Sequence, residues 1–157
     1  TGMIISTRES KACRERVLHL GVSQISGGSK TSVGGYAEPE PDDNKSEQFD
    51  VSDTRTLDEV VKWLMDLGYI PSFYREGRTG DRFMSLCKSG QIQNCCQPNA
   101  LMTLKEYLMD YASEATKKVG ENVIQEEIGK IPNEKVRQVV IENLKAIAND
   151  NRRDFRF

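Results

Sequence analysis

Cys95 and Cys96 are the residues of this sequence whose types and spacing are best suited to chemistry. The two adjacent thiols stand just before Pro98-Asn99, a pair that predicts a turn. Upstream lie three arginines, whose positive charge favours the thiolate form of a nearby cysteine: Arg75, Arg78 and Arg82. Thiolates bind soft metals, so this stretch predicts zinc or an iron–sulfur cluster. No second cysteine pair stands at metal-ligand spacing, so the sequence supplies only part of such a site.

A second group of candidate residues suits the binding of a carboxylate. Arg8 directly follows a predicted strand, and its planar guanidinium can hold a carboxylate with two parallel hydrogen bonds. Gln24 and Ser26 lie along the next predicted strand and offer neutral hydrogen-bond partners. Simpler interpretations stay open, because Arg8 also fits a helix cap with a surface ion pair, and Gly27-Gly28 also fits an ordinary turn.

The first part of the chain predicts one strand–helix–strand unit. The pattern predicts a buried strand at Gly2–Ser6 and a second strand at Val22–Ser26. Between them it predicts a helix at Glu9–Leu20, which Gly21 ends. The predicted apolar face of the helix consists of Ala12, Cys13, Arg16, Val17 and Leu20. Such a unit is the repeat of an α/β barrel or open sheet. Because it cannot cover its own strands, we expect it to be the end of a larger α/β domain.

The second part of the chain predicts a mostly helical domain. An acidic, proline-containing linker is expected at residues 37–53, followed by a Thr56/Glu59 capping box. The helix after that box has a predicted apolar stripe of Leu57, Val60, Val61, Leu64 and Leu67. Further helices are predicted at Thr79–Lys88, Asn99–Ala115 and Asn133–Asp150. Their expected inward residues are Leu101, Leu104, Leu108 and Tyr111 in the second of these, and Val136, Val139, Val140, Leu144 and Ile147 in the third.

Composition excludes several classes of function. The chain has 157 residues, 29% of them charged, with a net charge of −2, so no strongly basic face predicts nucleic-acid binding. No apolar run reaches the length of a membrane helix, and the first residues carry no secretory pattern, which predicts a cytoplasmic protein with no membrane partner. Four cysteines without framework spacing favour a reducing compartment, and a single histidine excludes a histidine-rich metal site.

Several stretches resemble a known family. The last barrel segment of the tyrosine-cleaving radical SAM enzymes is similar to three stretches of this chain: GMIISTRE (residues 2–9), LGVSQISGGS (20–29) and VGGY (33–36). That family includes ThiH-type lyases of thiazole synthesis and HydG-type maturases of FeFe-hydrogenase. The stretch between residues 68 and 101 resembles the C-terminal domain of the HydG type. The similar segments are GYIPSF, YREGRTGDRFM and CCQPNAL.

The resemblance implies a fold and a domain organisation. The expected fold is α/β: the last strand–helix–strand part of a TIM-type barrel, followed by a mostly α-helical C-terminal domain. Residues 1–36 would form the barrel segment, 37–53 the acidic linker and 54–157 the helical auxiliary-cluster domain.

The resemblance also implies an activity for a longer parent protein. A 4Fe–4S cluster on an N-terminal three-cysteine motif would cleave S-adenosylmethionine, and the resulting radical would break the Cα–Cβ bond of L-tyrosine. The products would be p-cresol and dehydroglycine. An auxiliary 4Fe–4S cluster would turn dehydroglycine into carbon monoxide and cyanide for assembly of the hydrogenase H-cluster, with other hydrogenase maturation proteins as partners.

Individual residues take roles from the same resemblance. Arg8 would hold the tyrosine carboxylate, with Ser26 and Gln24 assisting. Cys96 would be the third ligand of the auxiliary cluster. The Cys-x-x-Cys pair expected between Phe73 and Tyr74 is absent, which indicates a flexible loop missing from the sequence or a deliberate deletion. The SAM-cluster cysteines are absent as well, so no catalytic residue is expected in these residues, and the fragment alone is predicted to be inactive.

Two other functions are kept as alternatives. One is a non-catalytic metal- or partner-binding domain, in which the strand–helix–strand unit is only a scaffold. The other is a ThiH-type tyrosine lyase, against which the Cys95-Cys96 region argues because that branch lacks the auxiliary-cluster domain.

Overall fold

The computed structural model describes residues 3–22, 24–31, 35–36, 50–72 and 96–155. The chain divides into two compact units, Thr1–Val60 and Val61–Phe157. The predicted helix Thr79–Lys88, together with Cys95 and the three arginines before it, lies outside the described residues. The division into a barrel segment, a linker and an auxiliary-cluster domain stays a prediction.

A parallel strand–helix–strand unit is present in the first compact unit, as predicted. Strand β1 (Ile4–Ile5) pairs in parallel with strand β2 (Gln24–Ile25), and helix α1 (Lys11–His19) connects them. Both strands are shorter than the predicted segments. Ile4 is 67% exposed rather than buried, because one helix cannot cover both faces of a two-stranded sheet.

The ends of α1 are set by local sequence. The Ser10 hydroxyl accepts a hydrogen bond from the backbone N–H of Cys13 and caps the N-terminus. At the other end Gly21 has φ of +96°, and Val22 donates its N–H to the carbonyl of Val17. These are the features of a Schellman motif, so Gly21 ends the helix as the sequence predicts.

The predicted inward face of α1 is wrong. The buried residues are Arg14 and Leu18, whereas Ala12 and Arg16 are exposed and Leu20 is 80% exposed. Arg14 and Leu18 are four residues apart and therefore lie on one face of the helix. The prediction chose the wrong face, because nothing in the sequence near Arg14 indicates the carboxylate of Asp53 that compensates its charge.

The capping box at the start of helix α2 (Leu57–Asp66) is confirmed. The backbone N–H of Thr56 donates to the Glu59 carboxylate at 2.8 Å, and the N–H of Glu59 donates to the Thr56 hydroxyl at 3.3 Å. Gly68, with φ of +82°, ends the helix. Of the predicted stripe, Val60, Val61 and Leu64 are buried, Leu67 is half-buried and Leu57 is exposed.

Three further helices build the second compact unit: α3 (Cys96–Asp110), α4 (Glu114–Gly129) and α5 (Glu134–Asn149). They surround one apolar core, which consists of Val61, Met65, Leu101, Met102, Leu104, Tyr107, Leu108, Ile124, Ile131, Val140, Leu144 and Ile147. The prediction of α5 is confirmed with Asn133 as its N-cap. Of the expected inward residues, Val139 and Tyr111 are exposed instead.

The boundaries of α3 differ from the predicted ones, and α4 was missed. The Pro98-Asn99 pair predicted to form a turn lies in the first turn of α3, where proline is tolerated because those N–H groups have no partner within the helix. Helix α3 ends at Asp110, and Ser113 then caps a new helix by accepting from the N–H of Thr116. This serine cap was overlooked because it stands inside a polar stretch.

The residues after α5 fold back onto the second compact unit. Arg153 donates two hydrogen bonds to the Asp110 carboxylate at the end of α3, at 2.9 and 2.5 Å. The backbone N–H of Asp154 donates to the carboxylate of the buried Glu106 at 2.9 Å, and Phe155 packs against the core. The residues after α5 therefore pack against the C-terminal end of α3. Within the described residues, no helix is long and apolar enough to cross a membrane.

Gly120 lets α3 and α4 approach each other closely, which generates a stability prediction. A Cβ at Gly120 would lie 2.5 Å from a Cδ atom of the fully buried Leu108. We expect Gly120→Ala to destabilise the chain by about 1–2 kcal/mol, because overpacking outweighs the gain in helix propensity. Urea unfolding measures the difference.

Gly129→Ala is the matched control for this prediction, since Gly129 lies in the same helix and a Cβ there meets no atom within 4 Å. It should keep or raise the unfolding midpoint. Equal midpoints for the two alanine variants would contradict the close approach at Gly120.

Candidate functional site

Arg8 and Ser26 lie beyond the carboxyl ends of two neighbouring parallel strands. Ile5 pairs with Ile25, and the N–H of Ser26 donates to the Ile5 carbonyl at 3.1 Å. Arg8 stands in the turn after β1, where its side chain is exposed and its backbone N–H donates to the Ser6 hydroxyl at 3.2 Å. Carboxyl ends of parallel strands meet at one edge of a sheet, which is where α/β proteins bind ligands.

Gln24 joins this group through the alternation of side chains along β2. Gln24 and Ser26 are two residues apart in an extended segment, so their side chains lie on the same face of the sheet. Both are half-buried. The structure thus places all three residues predicted to bind a carboxylate on two adjoining strands and their ends. Their role as substrate ligands stays a prediction.

A buried ionic network lies behind this edge, and it was not predicted from the sequence. The Arg14 side chain is 0% exposed, and its guanidinium donates to the Asp53 carboxylate and to the main-chain carbonyl of Ser26. Arg55 donates to the same carboxylate at 2.8 Å through Nε and 2.5 Å through Nη2. The backbone N–H of Asp53 donates to the carbonyl of Thr7 at 2.9 Å.

The electrostatics of this network favour its charged form. Hydrogen bonds from the Arg55 side chain, helped by its backbone N–H and by both arginine charges, lower the pKa of Asp53 from 3.8 to about 2. Burial lowers the pKa of Arg14, and the charge of Asp53 opposes that shift. Arginine nevertheless stays protonated throughout the physiological range, so Arg14 and Asp53 form a true ion pair.

Only one signal in the sequence pointed to this network. Asp53 ends the acidic stretch and stands three residues before the capping box, where an aspartate commonly organises a turn. Its partner Arg14 lies 39 residues away along the chain, and nothing in the local pattern links the two.

Cys96 is the first residue of α3, and its thiol is half-buried. Two neighbours fix this end of the helix. Pro98 is buried, and the Gln97 amide donates to the Glu127 carboxylate at 2.7 Å, near the end of α4. A helix N-terminus directs its unpaired N–H groups outward and favours negatively charged ligands. Cys96 therefore stands at a helix N-terminus, a setting that suits an anionic ligand.

The described residues by themselves do not form a cluster site. Iron–sulfur clusters are held by several cysteine thiolates. Among residues 3–22, 24–31, 35–36, 50–72 and 96–155, no group of three or more His, Cys, Asp or Glu side chains could hold a metal ion. Cys96 alone fits one ligand position, and a cluster bound there needs further thiolates from outside these residues.

The pKa of Asp53 predicts how stability depends on pH. Because the folded pKa lies near 2 and the ordinary value is 3.8, the ionised carboxylate contributes about 2 kcal/mol above pH 5 and loses that contribution as the pH falls through 3.8 toward 2. We expect Asp53→Asn to cost about 3 kcal/mol at pH 7, because it leaves the buried Arg14 charge without its carboxylate. The cost should shrink below pH 3.

Urea unfolding of the wild type and the variant between pH 2 and 7 measures this dependence. Asp50→Asn is the control, since Asp50 lies in the same stretch and is exposed, and it should change stability by less than about 0.5 kcal/mol. A constant difference between wild type and Asp53→Asn across the whole pH range would contradict the assigned ionisation.

Comparison with known proteins gives matches in both parts of the chain. Residues 1–70 match the Biotin and Thiamin Synthesis associated domain, called BATS. The 2-iminoacetate synthase of Escherichia coli (strain K12), which is ThiH, is 40% identical over 67 residues, covering 43% of this chain and 17% of that protein.

A crystal structure of HydG, a maturase of the [FeFe]-hydrogenase, is 48% identical with a TM-score of 0.86. The match covers 100% of this chain and 34% of that one, so the chain spans about a third of the length of HydG. The resemblance predicted from the sequence is confirmed: the chain is similar to HydG from end to end, and part of it is also similar to ThiH.

Proposed function

We propose that this chain is the C-terminal part of a HydG-type radical SAM lyase that cleaves L-tyrosine and supplies carbon monoxide and cyanide for hydrogenase assembly. The observation that carries the proposal is the similarity to HydG, which extends over the whole chain at 48% identity. The mixed fold, with a small parallel sheet and mostly helices, agrees with that similarity.

The extent of the two matches favours the HydG type over the ThiH type. The 2-iminoacetate synthase match covers 43% of the chain, whereas the HydG match includes all of the second compact unit. That unit contains α3 and Cys96 at its first residue. The match to 2-iminoacetate synthase is 67 residues long and cannot include the whole of that unit. An additional domain is the expected difference between a lyase that stops at dehydroglycine and one that processes it further.

On this proposal β1, α1 and β2 are the last strand–helix–strand repeat of a TIM-type barrel. Residues 1–36 provide that repeat and residues 54–157 the auxiliary-cluster domain. Tyrosine binds at the carboxyl edge of the sheet, where Arg8 receives its carboxylate and Ser26 and Gln24 donate hydrogen bonds. An arginine fork selects a planar carboxylate, and neutral partners beside it do not repel the anion.

Cofactors of the longer protein complete the proposal. S-adenosylmethionine and a 4Fe–4S cluster supply the radical chemistry when bound, and the protein supplies binding and orientation. Cys96 is the third ligand of the auxiliary cluster, in a protein that also carries the Cys-x-x-Cys pair missing between Phe73 and Tyr74. The 157 residues alone are inactive, and the cytoplasm and other maturation proteins are the expected setting and partners.

Product analysis tests the function. Full-length protein containing this chain, reconstituted with iron and sulfide and given S-adenosylmethionine, reductant and L-tyrosine, should release p-cresol, carbon monoxide and cyanide. Release of p-cresol without carbon monoxide would favour the ThiH type. No p-cresol at all would favour a non-catalytic binding domain.

The role of Arg8 in tyrosine binding is tested by measuring KM for tyrosine in the same assay. Arg8→Lys should raise KM for tyrosine by about tenfold or more, because lysine keeps the charge and loses the two-bond fork. Arg16→Lys, an exposed change on α1, is the control and should leave KM within about twofold. Equal KM values for the two variants would remove Arg8 from the tyrosine site.

The iron content of the protein tests whether Cys96 is a ligand of the auxiliary cluster. Cys96→Ala in a full-length protein with an intact Cys-x-x-Cys loop should lose about four iron atoms per chain, the content of one 4Fe–4S cluster, with the matching loss of charge-transfer absorbance. Cys13→Ala, which removes the half-buried thiol of α1, should keep the full iron content. Retention of both clusters by Cys96→Ala would show that Cys96 is not a ligand.

A further inference from the structure

We infer that Arg14 and Asp53 are positioning residues for the carboxylate site, which they set by joining the two turns that carry Arg8 and Ser26. The inference rests on the proposed function for the identity of the substrate. It assigns a role in substrate binding to two buried residues that are not among the proposed substrate ligands.

The geometry supports this role because each residue of the pair is bonded to a different turn. Asp53 donates its backbone N–H to the carbonyl of Thr7, the residue directly before Arg8. Arg14 donates to the carbonyl of Ser26. The ion pair between Arg14 and Asp53 then joins the two bonds into one connection, from the turn after β1 to the turn after β2.

The connection is stiff because it is buried and charged. The Arg14 side chain is 0% exposed and that of Asp53 is 2% exposed, so water competes little for these hydrogen bonds. Charge-assisted bonds in such a setting are short and directional. Arg55 adds a two-bond fork to the same carboxylate and fixes its orientation.

The two carbonyls that accept these hydrogen bonds belong to Thr7, directly before Arg8, and to Ser26 itself. Loss of the bonds would therefore move the proposed ligands, an effect that a general loss of stability would not produce. A shift of the Thr7 carbonyl moves the base of the Arg8 side chain, and a shift of the Ser26 carbonyl moves Ser26 itself. A displacement of about 1 Å at a substrate-positioning residue can reduce catalysis by about a hundredfold. Loss of the pair should therefore weaken tyrosine binding beyond what lower stability explains.

Hydrogen exchange tests the connection without depending on activity. In the full-length protein, Asp53→Asn and Arg14→Lys should speed amide exchange about tenfold or more in peptides covering residues 5–9 and 25–30, with a smaller effect in α1. Gly120→Ala is the control, because it lowers stability through the α3–α4 contact and should leave both peptides unchanged. Unchanged or uniformly faster exchange across β1, α1 and β2 would overturn the inference.

Steady-state kinetics tests the consequence for the substrate. Both network variants should raise KM for tyrosine about tenfold while kcat stays within about threefold, whereas Gly120→Ala should leave KM unchanged. Wild-type KM in either network variant, despite faster exchange of the turns, would overturn the positioning role. If the wild-type protein cleaves no tyrosine, the proposed function and the substrate assignment both fail, and local exchange still decides whether Arg14 and Asp53 join the two turns.

Discussion

The buried ion pair between Arg14 and Asp53 is the constraint that joins α1 to the ends of both strands in the first compact unit. A two-stranded sheet of two residues per strand has too few hydrogen bonds and too little apolar contact to be stable alone. Here a guanidinium on α1 reaches a carboxylate beyond β2 in the chain and a carbonyl at the end of β2. The pair therefore links α1 to the end of β2 with charge-assisted hydrogen bonds.

A charged pair also gives this unit a directionality that apolar packing lacks. Leucine side chains on α1 could hold the helix against the sheet, yet they could not accept or donate hydrogen bonds at the ends of the strands. Arg14 and Asp53 use their polar groups on the main chain of both turns. The cost is the desolvation of two charges, which is offset only while both partners and the second arginine, Arg55, are present.

Short patterns in the sequence predicted the local structure, whereas the long-range contacts could not be predicted from them. The Thr56/Glu59 box, the glycine that ends α1 and the parallel pairing of β1 with β2 follow from short patterns, and all three are confirmed. The buried face of α1 does not, because the burial of Arg14 depends on Asp53, a carboxylate 39 residues away along the chain. The start of α3 was misplaced for the opposite reason: Pro98 predicts a turn locally, yet it is equally favourable in the first turn of a helix.

The candidate site was predicted in part for the same reason. Arg8 could be proposed from its place after the first predicted strand, and Gln24 and Ser26 from their place along the second, since parallel strands bring their carboxyl ends together. The hydrogen bonds that fix the turns carrying these residues could not be predicted from the sequence. An arginine side chain is long, and its accuracy as a ligand depends on how firmly its main chain is held. The turn of Arg8 is held on both sides, by the Ser6 hydroxyl at its own N–H and by Asp53 at the carbonyl of Thr7. If Arg8 binds a carboxylate as proposed, these two hydrogen bonds fix the main chain from which its side chain extends, and a strand end without them would hold the ligand less accurately.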